Sequence, residues 1–197
     1  MKAGRHRVFD KDVALEQAME VFWTNGFPGT SLTDLTTAMG INKPSLYSTF
    51  GNKEELYKST LERYVEKQGA IHTKYLSSAD KCLRERLQDY LTSIAEMVTD
   101  SKLPGGCYVC LSTSEVGGTC IPEGAMQTII NINKTTKSSL ADFFKNEIVA
   151  GNVTSERSPS VMANYILSLQ FGLAVMARNG EKLAGLNKII KFSTEQF

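Results

Sequence analysis

"MGINKPSLYSTFGNKEEL", residues 39–56, packs two helix starts and two glycine stops into eighteen positions. Gly40 permits a left-handed turn, Asn42 is a good N-cap, and Pro44 falls in the first turn, where its missing N–H costs nothing. Gly51 then breaks the helix, and Asn52 with Glu55 three residues later starts the next one. Leu46 and Phe50 point one way, which leaves Lys43, Ser45, Tyr47 and Thr49 on the rest of the surface. A helix this short, with so little apolar surface, is written to be inserted into something.

Upstream, "DKDVALEQAMEVFWTN", residues 10–25, carries Leu15, Ala18, Met19, Phe22 and Trp23 as one apolar stripe at helical spacing. Asp10 can cap this helix, Gly26 is expected to end it, and "GFPG" reads as a loop. Ser31 with Asp34 resembles a capping box for a short second helix whose inner face is Leu32, Leu35 and Met39. Two short helices around a glycine turn form the helix-turn-helix pattern, whose second helix enters the DNA major groove. Lys43 can reach a guanine or a phosphate, Ser45 and Thr49 can donate or accept, and Tyr47 can bond a phosphate or pack on a thymine methyl. Ser31 and Thr33 can meet the backbone. Lys53 opens the next helix, where free N–H groups already favour a phosphate.

The rest of the chain reads as helical too. Helices are expected from residue 52 to about Tyr75, then near 81–100, 106–116, 123–150, 159–179 and 182–195, punctuated by glycines. No alternating strand pattern interrupts them. The fold class is therefore all-α: an N-terminal three-helix helix-turn-helix domain, residues 1–58, and a C-terminal helical ligand-binding and dimerisation domain, residues 59–197. The connection between them reads as a continuous helix.

The net charge of +1 announces no nucleic-acid partner, yet between Met39 and Lys53 the only charges are Lys43 and Lys53, and Arg5 and Arg7 give the start of the chain a basic arm. No apolar region follows that basic start, and no uninterrupted apolar run approaches the roughly 18 residues of a membrane span, so the expectation is a cytoplasmic protein without a membrane partner. With two histidines in the chain, no Walker-type glycine loop and no carboxylate–histidine metal motif, nothing points to an enzyme, a cofactor or a metal. Cys107 and Cys110 form a lone C-x-x-C without two further zinc ligands nearby.

Residues 9–57 resemble the DNA-binding domain of the TetR family of transcriptional regulators, on the "AMEVFW" stripe, "G-x-x-x-TS-x-x-D-L", "MGI" and "PSLY-x-x-FG-x-K-x-x-L". The resemblance implies a homodimer, an all-α ligand-binding C-terminal domain, and repression of a palindromic double-stranded operator relieved by a small molecule. Carried over by position, Lys43, Pro44, Ser45, Tyr47 and Thr49 belong to the recognition helix, and Ser31, Thr33 and Lys53 fall at phosphate contacts. Thr33 departs from members with a basic residue there. An activator, or an interaction module that has lost operator binding, remains the alternative. "PGGCYVCL" is similar to a branch of the family with a Gly-Cys pair at the start of the sixth helix, some of whose members respond to electrophiles, oxidants or metals.

Two readings of the C-terminal half follow. Cys107 in the first turn of a helix would have a lowered thiol pKa, with Cys110 and Cys120 as disulfide partners; alternatively these thiols only pack. The second is a pocket between the long helices, for which Met97, Cys107, Tyr108, Cys110, Met126, Phe143, Phe144, Tyr165 and Phe171 are candidate lining residues; the scarcity of charge among them suggests an apolar or neutral effector. The helix "SPSVMANYILSLQFGLAVMARNG" is apolar almost all round, and with "LAGLNKIIKF" it is expected to form a four-helix dimer interface through Ala163, Ile166, Gly172, Ala174, Leu186 and Ile190. A two-fold dimer would set its recognition helices roughly 34–36 Å apart or somewhat more.

Overall fold

The computed structural model describes residues 9–154 and 156–197. Among them the chain is all-α: α1 (Lys11–Gly29), α2 (Leu32–Met39), α3 (Lys43–Phe50), α4 (Lys53–Thr73), a 3-10 turn (Lys74–Ser77), α5 (Leu83–Val98), α6 (Tyr108–Glu115), α7 (Glu123–Val149), α8 (Pro159–Arg178) and α9 (Leu183–Thr194).

The first four helices start where their caps dictate. The Asp10 carboxylate accepts from the amides of Asp12 and Val13. Ser31 and Asp34 form a reciprocal box, Asn42 accepts from the Ser45 amide at 2.8 Å, and Asn52 and Glu55 form a second box. Gly40 closes α2 in the left-handed conformation, at φ 63.

The "GFPG" loop is a correction. Gly26 does break the helix (φ 71, ψ 173), but the chain resumes helical geometry to Gly29. Packing explains it: Phe27 is driven inward, with its ring centroid 6.2 Å from Phe22 and 5.0 Å from Tyr57, and burial of that aromatic surface holds the extra turn.

Two apolar cores result. One joins α1–α4 to Tyr108 and Val109 of α6 and to Ala125 and Ile129 of α7. The other is built from α5, α8 and α9 with Leu140 and Phe144 of α7. Met97 and Cys107 pack against both. Helix α4 passes residue 58 without interruption and leads into the 3-10 turn, whose Leu76 belongs to the second core. At about 1.5 Å per residue it spans roughly 30 Å. Within it Gly69 faces open space on its side-chain side: a Cβ there would meet no atom within 4 Å.

Candidate nucleic-acid interface and effector cavity

Helix α3 turns Leu46 and Phe50 into the core and leaves Lys43, Pro44, Tyr47 and Ser48 exposed. Ser45 and Thr49 are half-buried at the flanks, and Ser31 and Thr33 are exposed on the start of α2. No acid lies on this face of α3. Ser48 was missed from sequence, although the 100° helical step places it beside Pro44 and Tyr47. Lys11 was missed as well; its ammonium lies 5.6 Å from the centre of the Phe50 ring, at the end of α3. Arg5 and Arg7 lie outside the described residues.

Lys53 is placed differently. It is half-buried, its Nζ donates to the carbonyl of Phe27 at 2.6 Å, and it sits 4.2 Å from the centre of the Phe27 ring. Desolvation lowers its pKa, opposed by the charge of Glu115.

Helix α6 ties this unit to the rest of the molecule. Trp23 Nε1 donates to the carbonyl of Gly105 at 3.2 Å, just before α6. Tyr57 donates to Ser112 Oγ at 2.8 Å, Ser112 donates in turn to the Tyr108 carbonyl, and Tyr108 and Thr60 share a hydrogen bond at 2.9 Å. Burial pushes the Tyr57 hydroxyl up to about 12, so it remains a donor.

Beyond that seam lies a cavity of about 430 Å³ between α4, α5, α6, α7 and α8. Met97, Cys107, Phe143 and Phe171 line it. Five other candidates do not. Tyr108 is committed to Thr60, Cys110 points at the Phe171 carbonyl, and Met126 packs on the first core. Phe144 is fully buried between Phe143 and Phe197, and Tyr165 donates to the Ser193 carbonyl. Tyr64, Gly69, His72, Tyr90, Asn133 and Gln170 join the lining instead, and no Asp, Glu, Lys or Arg does. His72 lies 2.9 Å from Ser93 Oγ through Nδ1 and 3.4 Å from Met97 Sδ through Nε2; burial lowers its pKa to about 4, which keeps it neutral. A second cleft, of about 520 Å³ near the start of α5, is lined in part by Lys81, Arg84, Arg86 and Glu147. Its cations are spent internally: Lys81 on Asp89, Arg84 on the Glu195 carbonyl and Arg86 on Glu147.

The expectation of an acidic Cys107 thiol is corrected. Cys107 is the N-cap of α6, but burial outweighs the helix start and pushes its thiol up. Cys110 rises to about 12 for the same reason. Cys82 and Cys120 are exposed, and all four cysteines are unpaired.

The dimer candidates are corrected too. Ala163, Ile166, Ala174, Leu186 and Ile190 are at most 2% exposed and form the chain's own second core. Of the six, only Gly172 is exposed. The free apolar surface of α8 and α9 is instead Val161, Val175, Met176 and Phe192, the last 78% exposed. By length and composition α8 is the one helix among the described residues that could cross a membrane; here it packs against α5, α6, α7 and α9.

Comparison with known proteins fits this architecture. Residues 14–60 match the family model for bacterial regulatory proteins, tetR family. Over 189 residues, 94% of this chain and 88% of the relative, the sequence is 31% identical to the HTH-type transcriptional repressor ComR of Escherichia coli (strain K12). The chain belongs to the TetR family. It is a DNA-binding transcriptional regulator and not an enzyme. The HTH-type transcriptional repressor BdcR of the same organism is 33% identical over 108 residues, 55% of this chain and 53% of that protein. Among solved structures, a cysteine mutant of the TetR family regulator CifR, complexed with 26-bp double-strand operator DNA, superposes with a TM-score of 0.90 at 29% identity. That likeness covers 98% of this chain and 100% of CifR.

Proposed function

We propose that this regulator is a homodimeric repressor that binds a palindromic operator through α3 and leaves it when an uncharged small molecule enters the cavity behind α4. The observation that carries the reading is the course of α4. One helix begins at the DNA-reading unit and, through Tyr64, Gly69 and His72, forms a wall of a cavity without formal charge. Such a cavity favours a neutral ligand, because a buried ion without a partner is costly. The names of ComR and BdcR as repressors, and the operator complex of CifR, support the repressor and operator readings. The exposed apolar strip of α8 and α9 supports the dimer. The contacts proposed for DNA are Lys43, Pro44, Ser45, Tyr47, Ser48 and Thr49 on α3, with Ser31 and Thr33 on α2.

The test is a gel-shift titration on DNA upstream of the protein's own gene and on duplexes enriched from random sequence. Lys43→Ala and Tyr47→Ala are expected to weaken specific binding by about 1–3 kcal/mol each while the dimer persists. Loss of the dimer in either variant would contradict their placement on an outward-facing helix.

A further inference from the structure

The backbone of Phe27, just after the kink in α1, is held through both the peptide group before it and the one after it. Lys53 Nζ grips its carbonyl at 2.6 Å and covers its ring. Glu115, the last residue of α6, approaches from the other domain, and its Oε2 accepts from the Phe27 amide at 3.4 Å. The kink makes room for that carboxylate: a Cβ on Gly26 would lie 2.2 Å from Glu115 Oε1, and Gly26 also needs φ +71. The two opposite charges, which act on each other electrostatically, bind the backbone on either side of the Phe27 Cα, and the Glu115 contact joins residues 88 apart in sequence.

The geometry points to Glu115 and Lys53 as a paired brace that fixes the α1–α2 junction, and through it α3, against α6; Lys53 is a positioning residue rather than a contact to the operator phosphates. Three observations carry this. The Lys53 ammonium already has a carbonyl acceptor and an aromatic face. Its charge is answered by Glu115, whose one side-chain hydrogen bond among the described residues is to the Phe27 amide. Gly26 has no Cβ where the Glu115 carboxylate lies, so the carboxylate can reach the backbone at the kink. Cys107, the N-cap of α6, and Val109 in its first turn lie on the cavity wall, so the brace connects that wall to the reading helices.

The distinguishing readout is the salt dependence of DNA binding, because each neutralised phosphate contributes about −0.9 to the slope of log K against log salt. The slope does not depend on the fraction of protein that is active. The probe is a duplex enriched by the purified protein from random-sequence DNA. Lys53→Met and Glu115→Gln are each expected to weaken binding about tenfold, as for loss of one charge-assisted hydrogen bond, with the slope unchanged. The double variant should lose little more than either single one, since both hold the backbone of the same residue, Phe27. Lys53→Arg, which keeps the charge, the donor and the stacking, should restore binding. A slope that falls by about 0.9 per protomer in Lys53→Met overturns the proposal and returns Lys53 to the phosphates. Full additivity of the two variants, or wild-type binding by Glu115→Gln, overturns it as well.

Discussion

The seam between α4 and α6 allows a test in which two hydrogen-bond partners differ in cost. Tyr57 and Ser112 are 0% and 2% exposed, and the tyrosine hydroxyl donates to Ser112 Oγ at 2.8 Å. Ser112→Ala leaves the Tyr57 hydroxyl buried without an acceptor, which costs about 1–3 kcal/mol. Tyr57→Phe removes the donor, but Ser112 still donates to the Tyr108 carbonyl at 2.9 Å, so only a net hydrogen bond of about 0.5–1.5 kcal/mol is lost. The serine variant should therefore be the less stable of the two. The double variant should be no worse than the serine variant, because the orphaned hydroxyl is gone. Urea unfolding at one fixed protein concentration reads this directly. With a slope of about 3 kcal/mol per M, a loss of 2 kcal/mol moves the midpoint by roughly 0.7 M, well resolved from the tyrosine variant. Fixed concentration matters because association would shift apparent stability. Additive losses, or a larger loss in Tyr57→Phe than in Ser112→Ala, would refute the account of this seam.

Three further outcomes are expected. Val175→Glu and Phe192→Glu, on the exposed strip of α8 and α9, should yield folded monomers in light scattering and abolish operator binding. Ile166→Ala, in the core, should instead cost about 2–5 kcal/mol of stability at unchanged oligomeric state. Iodoacetamide followed by mass mapping at pH 8 should label Cys82 and Cys120 first, since burial holds Cys107 and Cys110 protonated; early labelling of Cys107 would reverse that ordering. His72 has a folded pKa of about 4 against an ordinary 6.5, so the unfolded chain takes up its proton first as pH falls. Stability should drop between pH 6.5 and 4, and His72→Gln should flatten that part of the profile.

Much of this molecule was legible before folding. The caps at Asp10, Ser31, Asn42 and Asn52 act through neighbours three residues away or fewer, so local sequence reveals them. The face of α3 follows from one helical period. The cavity did not, because periodicity shows that Tyr108, Phe144 and Tyr165 turn inward without showing whether they meet a void or another side chain. Helix α8 misled for a related reason: it is apolar on both sides, so Ala163 and Ile166 look no different from Val161 and Val175 until α5 and α9 cover one side. At Cys107 a local rule, the helix start, lost to burial that only the tertiary structure supplies. The grip of Glu115 on Phe27 left no sequence signal at all, being a contact between distant segments.

The bare glycine in α4 has a mechanical consequence. A helix clamped by tyrosines and box caps over its first half behaves as a stiff rod there, while Gly69 lowers helix propensity by up to about 1 kcal/mol relative to alanine and has no side chain to pack. Bending is thereby concentrated in the stretch that borders the cavity and kept out of the stretch that carries the reading helices. A ligand in the cavity would act on the compliant end and swing the rigid end as one piece: with the pivot at Gly69, a swing of about 5° over the roughly 24 Å back to Lys53 displaces that tip by about 2.1 Å, enough to break a hydrogen bond.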